Sequence, residues 1–218
     1  DLLDGAAAIL TAVLCFAASA RFAPGVQQRR AWFMLGAGMA LWAIAEFLWS
    51  YFQIGLGDDV PYPSPADVVW AIGYLPLLFG LIQGHRSLAV RLTARQRIAA
   101  AAGYAVLLTG LTLTLLVPMF AHSTAGSAAE AAVGIYYLIG NLTLAFVVTL
   151  TAIVLWAGLV GRPWLSIVIG MLLFAVSDTV FAYAAWANLY GVGENLLSFA
   201  IDVSYFAAYV SVALGAYR

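Results

Sequence analysis

The sequence predicts an all-α, polytopic membrane protein with seven transmembrane helices. Apolar residues make up 65% of the 218 residues and charged residues only 9%, whereas soluble domains have roughly 45–50% and 25%. Seven apolar stretches are each long enough to cross a bilayer. A soluble domain of this size could not bury so much apolar surface or cover its exterior with so few charges. The composition therefore excludes a soluble enzyme, a nucleic-acid-binding protein and a disordered chain.

The seven predicted spans are separated by turn signals or charge clusters. In chain order the spans cover residues 4–22, 31–53, 64–84, 98–120, 131–158, 164–187 and 195–216. The separators include Pro24-Gly25 after the first span and Gly161-Arg162-Pro163 after the fifth. Short loops predict that successive helices pack antiparallel. We predict a single domain over residues 1–218 and expect it to be a fragment of a longer chain, because it begins at Asp1 and stops at Arg218 directly after an apolar run.

The charges predict how the chain is oriented in the membrane. All nine positive charges are arginines on one side of the spans: Arg21, Arg29, Arg30, Arg86, Arg91, Arg95, Arg97, Arg162 and Arg218. Six acids fall on the other side: Asp1, Asp4, Asp58, Asp59, Glu130 and Glu194. Cytoplasmic loops carry the excess of Arg and Lys. We therefore predict a multi-pass protein of the cell (inner) membrane with its N-terminus outside and its C-terminus in the cytoplasm.

Parts of the chain resemble each other at a nearly constant offset. From Trp32 and Trp164 the offset is 132 residues, and after three extra loop residues it becomes 135. The matches include Gly38/Gly170, Met39/Met171, Glu46/Asp178, Asp67/Asp202, Tyr74/Tyr209 and Gly80/Gly215. These matches predict a 3+1+3 parallel internal repeat, with repeat one over 4–84, a linker helix over 98–120 and repeat two over 131–216. The alternative is chance similarity among apolar helices.

Four acids lie inside the predicted spans: Glu46, Asp67, Asp178 and Asp202. A charged acid near a helix centre costs about 2.5–3.5 kcal/mol on insertion scales. No basic residue lies in a span to offset these acids, so they must be protonated, hydrogen-bonded, or facing a wet cavity or a bound cation. Glu46 lies roughly 9 Å and Asp178 roughly 15 Å from the outer end of its span at 1.5 Å per residue. A pocket that opens outward is the simplest common explanation.

Aromatic residues share the helix faces of these acids at spacings of three, four and seven residues. Carboxylates among aromatic rings suit an organic cation or a largely apolar ligand anchored by a few polar groups. The alternative is a packed core in which the aromatic hydroxyl and indole groups satisfy the acids. The candidate ligand-binding residues are Glu46, Asp178, Asp202, Asp67, Trp42, Trp49, Trp70, Tyr74, Tyr205 and Tyr209.

Asp67 also has a structural interpretation. Ser64, Pro65 and Asp67 form a helix start, with Ser as the N-cap, Pro at N1 and an acid at N3. Asp202 has no such explanation, because its helix is expected to have begun already. Asp67 is therefore predicted either to cap its helix or to contact the ligand.

The sequence lacks the residues that several kinds of binding or catalytic site require. The chain has no lysine for a retinal Schiff base, and its two histidines, His85 and His122, are predicted in loops on opposite faces. Cys15 has no base near it in sequence. We assign no catalytic residue and no metal ligand, although the four acids leave a carboxylate-only metal site open. The sequence identifies no cofactor.

The segment from Gly38 to Leu81 resembles the seven-helix N-terminal membrane region of some bacterial and archaeal signalling proteins. The shared pattern is a Trp-rich helix with an acid, a Pro61-Tyr62-Pro63-Ser64 loop end, then Ala66-Asp67 and Gly73-Tyr74. The resemblance covers about one fifth of the chain. It implies a sensor that precedes a cytoplasmic output domain of the diguanylate cyclase, phosphodiesterase or histidine kinase type. It adds no binding residues.

Two functions therefore stand open. The first is a membrane sensory module that binds a small extracytoplasmic or lipid-phase ligand and signals through its C-terminal helix, or through a homodimer interface, to its own cytoplasmic domain. The second is a small pseudo-symmetric carrier coupled to protons or cations, whose site should lie at the midplane on broken helices. An enzyme active site within the fragment has the weakest support. The bilayer is an expected partner and nucleic acid is not.

Overall fold

The computed structural model describes residues 2–56, 63–88, 92–118, 128–154, 162–187, 189–190 and 195–218. Within these residues every regular element is a helix, and seven helices are long and apolar enough to cross a membrane. The chain is thus an all-helical, multi-pass membrane protein, as its composition predicted. The acids Asp1, Asp58, Asp59 and Glu194, together with Arg91 and His122, lie outside the described residues.

The seven helices occur at the predicted places. They are α1 Leu2–Ala20, α2 Gln27–Ser50, α3 Pro65–Ser87, α4 Ala94–Leu111, α5 Ala128–Val154, α6 Arg162–Trp186 and α7 Leu196–Tyr217. Helix α2 continues as a π-helical segment, Tyr51–Leu56, and α4 continues as another, Thr112–Leu116. When the π-helical continuations are counted, the helix ends that fall within the described residues lie within four residues of the predicted ends.

Local sequence signals account for several of these boundaries. Gly25 has a φ of 89° in the turn between α1 and α2, a conformation that glycine adopts without a Cβ penalty. Ser64 caps α3 in a capping box with Pro65 in the first turn, as the sequence predicted. Thr93 caps α4 in the same way, and Asn195 caps α7 by accepting from the Ser198 amide. Polar caps thus begin three of the helices.

Six of the helices form a closed ring. Helices α1, α2, α3, α5, α6 and α7 each pack against two neighbours in that order, and α7 packs back against α1. Helix α4 lies outside this ring and packs on α5, where the Tyr104 ring contacts Phe146 at 4.8 Å and its hydroxyl lies 3.1 Å from Thr143 Oγ1. None of the described residues of α4 is buried. The buried interior of the described part of the chain is therefore formed by the six ring helices.

The arginine-bearing ends of the helices meet at one end of the ring. Arg21, just after α1, donates to the Tyr217 carbonyl oxygen near the end of α7, and Arg218 donates to Ser166 Oγ in the first turns of α6. In the same region the Trp32 ring of α2 lies 5.6 Å from the Trp164 ring of α6. The end of the bundle that carries these residues is called the arginine end below.

Glycines bring α2 against α3 and α6 against α7. A Cβ added to Gly38 would lie 2.4 Å from Leu77 Cγ, and one added to Gly170 would lie 2.7 Å from Val212 Cγ2. Nearer the arginine end, an added Cβ at Gly80 would meet the Ala31 carbonyl oxygen at 3.0 Å. One at Gly215 would meet the Pro163 carbonyl oxygen at 2.7 Å. Each pair of helices is therefore packed backbone against backbone at two levels.

Candidate functional site

A layer of four buried aromatic rings closes the middle of the ring of helices. Trp42 of α2 contacts Phe174 of α6 at 5.0 Å and Tyr74 of α3 at 5.4 Å, and Phe174 contacts Tyr209 of α7 at 4.7 Å. All three contacts are edge-to-face, the geometry that aromatic quadrupoles favour. Each ring is at most 5% exposed. These four residues are called the aromatic floor.

Glu46 and Asp178 lie one turn beyond the floor, on the side away from the arginine end. Glu46 follows Trp42 by four residues and Asp178 follows Phe174 by four, so each acid stands above its own floor residue. Glu46 of α2 accepts a 2.9 Å hydrogen bond from the Tyr209 hydroxyl of α7. Helices α2 and α7 are not neighbours in the ring, so this bond crosses the interior.

Asp178 is held by a larger group of donors. Its Oδ1 accepts a 2.5 Å hydrogen bond from the Tyr205 hydroxyl, and its Oδ2 lies 3.4 Å from the Tyr74 hydroxyl. The same Tyr74 hydroxyl lies 2.6 Å from Oδ1 of Asn141 on α5, so two acceptors compete for one phenol proton. The bond from α3 to α6 also crosses the interior, which places the carboxyl of Asp178 inside the ring.

Both acids keep accessible surface although they point inward. Glu46, Asp178 and Tyr205 are half-buried, whereas the floor below them is fully buried. The region above the aromatic floor that holds the carboxyls of Glu46 and Asp178 is called the acidic chamber.

Asp67 and Asp202 occupy different surroundings. Asp67 is 4% exposed: its Oδ2 accepts from the Ser64 amide and hydroxyl at 2.6 and 2.7 Å, and its Oδ1 accepts from the Tyr137 hydroxyl at 2.8 Å. Both oxygens accept hydrogen bonds, and the Ser64–Asp67 pair forms the capping box of α3. Asp202 is half-buried, two turns into α7, and accepts a 2.9 Å bond from Tyr190.

Tyr190 lies in the connection before α7, and burial together with the neighbouring Asp202 carboxyl raises its pKa above the ordinary value. The phenol therefore keeps its proton and remains a donor to Asp202. This pair links Tyr190 to α7, and the Tyr190 ring packs on Phe181 at 4.9 Å.

The remaining predicted aromatic residues lie one to two turns from the floor, on the side of Glu46 and Asp178. The Trp49 ring contacts the Trp70 ring at 5.8 Å, and the Trp42 indole N–H donates to the Trp70 carbonyl oxygen at 3.2 Å. Tyr205 and Tyr209 lie on the same face of α7 as Asp202, but their hydroxyls bond to Asp178 and Glu46 instead. The predicted aromatic residues are therefore brought together, with partners on other helices.

Sequence reasoning missed several residues at or near the site. Asp4 was grouped with the acids outside the bilayer, yet in the first turn of α1 it is only 8% exposed and within electrostatic range of Glu46 and Asp202. Asn141 carried a usable signal, because a polar amide inside an apolar span needs an internal partner. Tyr137 and Tyr190 carried none.

The side chains that metal or catalytic sites commonly use lie apart in the described part of the chain. No three His, Cys, Asp or Glu side chains there are placed to hold a metal ion. His85, predicted in a loop, lies instead in the last turn of α3, where Nδ1 is 3.2 Å from Thr151 Oγ1. Cys15 is a buried free cysteine in α1.

Comparison of the chain with models of known protein families, with curated proteins and with solved structures gives no match.

Proposed function

We propose that this protein is a membrane sensory module that binds a small ligand in the acidic chamber. The observation that carries the proposal is the pair of inward-facing carboxyls, Glu46 and Asp178, which keep accessible surface above a closed aromatic floor. Open acids in a closed ring favour a ligand that reaches them.

We infer that the chamber lies between two like-oriented repeats, α1–α3 and α5–α7. Exchanging the two sets of helices maps the order of the ring onto itself. The close contact of Gly38 with Leu77 corresponds to that of Gly170 with Val212. Two pairs of corresponding residues touch each other, Trp32 with Trp164 and Trp42 with Phe174. Such contacts are expected on a pseudo-two-fold axis along the membrane normal.

The hydrogen bonds at the chamber follow the same relation. Glu46 corresponds to Asp178, and Tyr209 corresponds to Tyr74 at the offsets found in the sequence. Tyr209 donates to Glu46, and Tyr74 lies within hydrogen-bond distance of Asp178. Each repeat therefore supplies a phenol to the acid of the other. A ligand that binds both acids contacts both halves of the molecule.

The chamber opens outward in this proposal. The acids lie beyond the aromatic floor from the arginine end, and arginine-rich ends face the cytoplasm. An N-outside, C-inside orientation in the cell membrane thus places the floor between the chamber and the cytoplasm. The ligand reaches the site from the extracytoplasmic side or from the outer lipid phase.

The chemistry of the walls favours an organic cation. Carboxylates supply the charge, and the faces of Trp, Tyr and Phe stabilise a cation at about 0.5–2 kcal/mol per contact. A largely apolar ligand with one polar anchor fits the same surroundings less specifically.

Helix α7 is the element that would carry the signal. It supplies Tyr205 to Asp178 and Tyr209 to Glu46, and it runs without interruption from there to Tyr217 at the arginine end. A ligand that replaces these phenols as the partners of Glu46 and Asp178 removes hydrogen bonds that hold α7 in place. Helices in allosteric transitions typically shift by about one or two ångströms. An output domain of the kind that the family resemblance implies would receive this movement in the cytoplasm.

Continuity of the helices favours a receptor over a carrier. Carriers of the repeat type bind their substrate on broken helices. Helix α2 runs from Gln27 to Ser50 and α6 from Arg162 to Trp186 without a break at Glu46 or Asp178.

Binding can be tested on the purified chain in lipid nanodiscs with benzyltrimethylammonium and benzylammonium as probes and intrinsic tryptophan fluorescence as the readout. We expect saturable binding of at least one cation, and its loss in the Glu46→Gln/Asp178→Asn double variant. The Glu130→Gln variant, which removes an acid outside the four in the spans, should bind as the parent does. Failure of both cations to bind contradicts a cation receptor.

Movement of α7 can be tested by spin labels at Leu88→Cys and Tyr217→Cys in a Cys15→Ser background. A receptor should change the distance between the two labels on cation binding by on the order of 2 Å. A carrier should instead accumulate the cation in liposomes. Uptake without a change in the label distance would overturn the sensory proposal.

A further inference from the structure

Two polar atoms on the outer part of α2 are buried without a partner. Ser50 is 4% exposed, and neither its Oγ nor the buried Oε1 of Gln53 makes a hydrogen bond within the described residues. A buried polar atom that lacks a partner costs about 1–3 kcal/mol. Such an atom is expected to acquire a partner, for example a water, an ion or a ligand.

The unpaired hydroxyl of Ser50 is unusual in this protein. Several hydroxyls within the described helices donate to the carbonyl four residues back, among them those of Ser177, Ser211 and Thr11. Ser50 does not use the corresponding carbonyl of Glu46. Its hydroxyl is therefore free both to donate and to accept.

The direction of Ser50 follows from helix geometry. Ser50 comes 18 residues after Trp32, which is five turns at 3.6 residues per turn. Trp32 faces Trp164 across the interior of the ring, so Ser50 projects to the same side. It lies one turn beyond Glu46, away from the aromatic floor, and Gln53 lies about one turn further in the π-helical continuation of α2.

Ser50 thus lies on the same side of α2 as Glu46, and Gln53 follows three residues later. These three oxygen-bearing side chains are called the acceptor row. We propose that the acceptor row binds the primary ammonium group of the ligand. An ammonium carries three N–H donors and no acceptor, which matches one carboxylate, one hydroxyl and one amide oxygen. A quaternary ammonium has no donor and would leave Ser50 and Gln53 unpaired. This assignment rests on the proposed function, since it names the ligand class of the same chamber.

The test compares two cations of equal charge that differ in their donors. Benzylammonium has three N–H groups and benzyltrimethylammonium has none. In nanodiscs at pH 7 we expect the parent protein to bind benzylammonium at least about tenfold more tightly, because hydrogen bonds to charged groups are the stronger ones. Ser50→Ala and Gln53→Leu should each weaken benzylammonium binding by roughly fivefold or more and change benzyltrimethylammonium binding less than about twofold.

The variants separate donor recognition from ligand size, because each is compared with its parent on the same probe. Ser211→Ala removes a serine that already donates within its own helix and should change neither affinity. If Ser50→Ala changes the affinity for neither cation, the acceptor row does not bind the ammonium group and the proposal is overturned. Binding of benzyltrimethylammonium would in that case still support the acidic chamber. If the parent protein binds neither cation, the proposed function itself is contradicted.

Discussion

At the residue scale, tyrosine hydroxyls are the main partners of the interior acids. Tyr209 donates to Glu46, Tyr205 to Asp178, Tyr137 to Asp67 and Tyr190 to Asp202. A carboxyl in the membrane interior is costly unless it is neutral or well supplied with donors. A phenol supplies one donor without adding charge, and its ring fills the apolar space around the acid.

The bond between Tyr209 and Glu46 should be measurable as a coupling. In a double-mutant cycle of Tyr209→Phe and Glu46→Gln, we expect a coupling free energy of about 1 kcal/mol, within the range for side-chain hydrogen bonds in membrane proteins. The free energy of unfolding in mixed micelles is the measurement. The cycle of Tyr209→Phe with Asp202→Asn should show no coupling, and equal coupling in both cycles would contradict the bond.

Asp67 should behave as a structural residue. Asp67→Ala removes the capping box of α3 and the acceptor of Tyr137, so we expect it to lower the free energy of unfolding by about 1–2 kcal/mol. Cation affinity of the variant protein that remains folded should be unchanged. A large loss of affinity without a loss of stability would show that Asp67 contacts the ligand instead.

Residue types were more predictable than partners. A rare acid in an apolar span is conspicuous in any sequence, so Glu46 and Asp178 could be identified from one chain. The partner of Glu46 is 163 residues away in sequence, and such a distance is decided by the packing of whole helices. The burial of Asp4 was missed because a position in the first turn of a helix does not indicate which residues of other helices will cover the side chain.

At the scale of the elements, the helix pairs α2–α3 and α6–α7 are in close backbone contact within the ring. Both pairs approach through glycines whose missing Cβ is occupied by the neighbouring helix. Small residues at such contacts let backbones approach and maximise van der Waals attraction where lipid provides no hydrophobic force.

These contacts predict a clear contrast among glycine substitutions. Gly170→Ala would place a Cβ 2.8 Å from the Ala208 carbonyl oxygen, and Gly38→Ala would crowd Leu77, so we expect each to lower the free energy of unfolding by about 1–3 kcal/mol. Gly103→Ala and Gly110→Ala in α4 meet nothing within 4 Å and should be neutral or slightly stabilising. Equal effects at all four positions would contradict the packing.

Hydrophobic length predicted the seven helices well because crossing a bilayer requires about 20 apolar residues. It could not predict the π-helical continuation of α2, since hydropathy does not report which carbonyl an amide bonds to. That continuation carries Gln53, so half of the evidence for the acceptor row could not be found in the sequence pattern.

At the scale of the whole molecule, the arginine end and the carboxyls of Glu46 and Asp178 lie on opposite sides of the aromatic floor. The positive-inside rule then predicts which end faces the cytoplasm. In a Cys15→Ser background, a membrane-impermeant maleimide should label Leu196→Cys in intact cells and Gln27→Cys only after permeabilisation. The reverse pattern would place the chamber on the cytoplasmic side and contradict an outward-facing receptor.

The central claim is that Glu46 and Asp178 line a single water-accessible chamber that is closed toward the arginine end. A cationic, membrane-impermeant methanethiosulfonate tests this in vesicles of known orientation, with Cys15→Ser as the background. We expect Glu46→Cys and Asp178→Cys both to react from the side opposite the arginines, while Met39→Cys and Met171→Cys, at most 1% exposed in the parent protein, remain unmodified. If Glu46→Cys and Asp178→Cys react from different sides, or neither reacts from either side, the chamber does not exist.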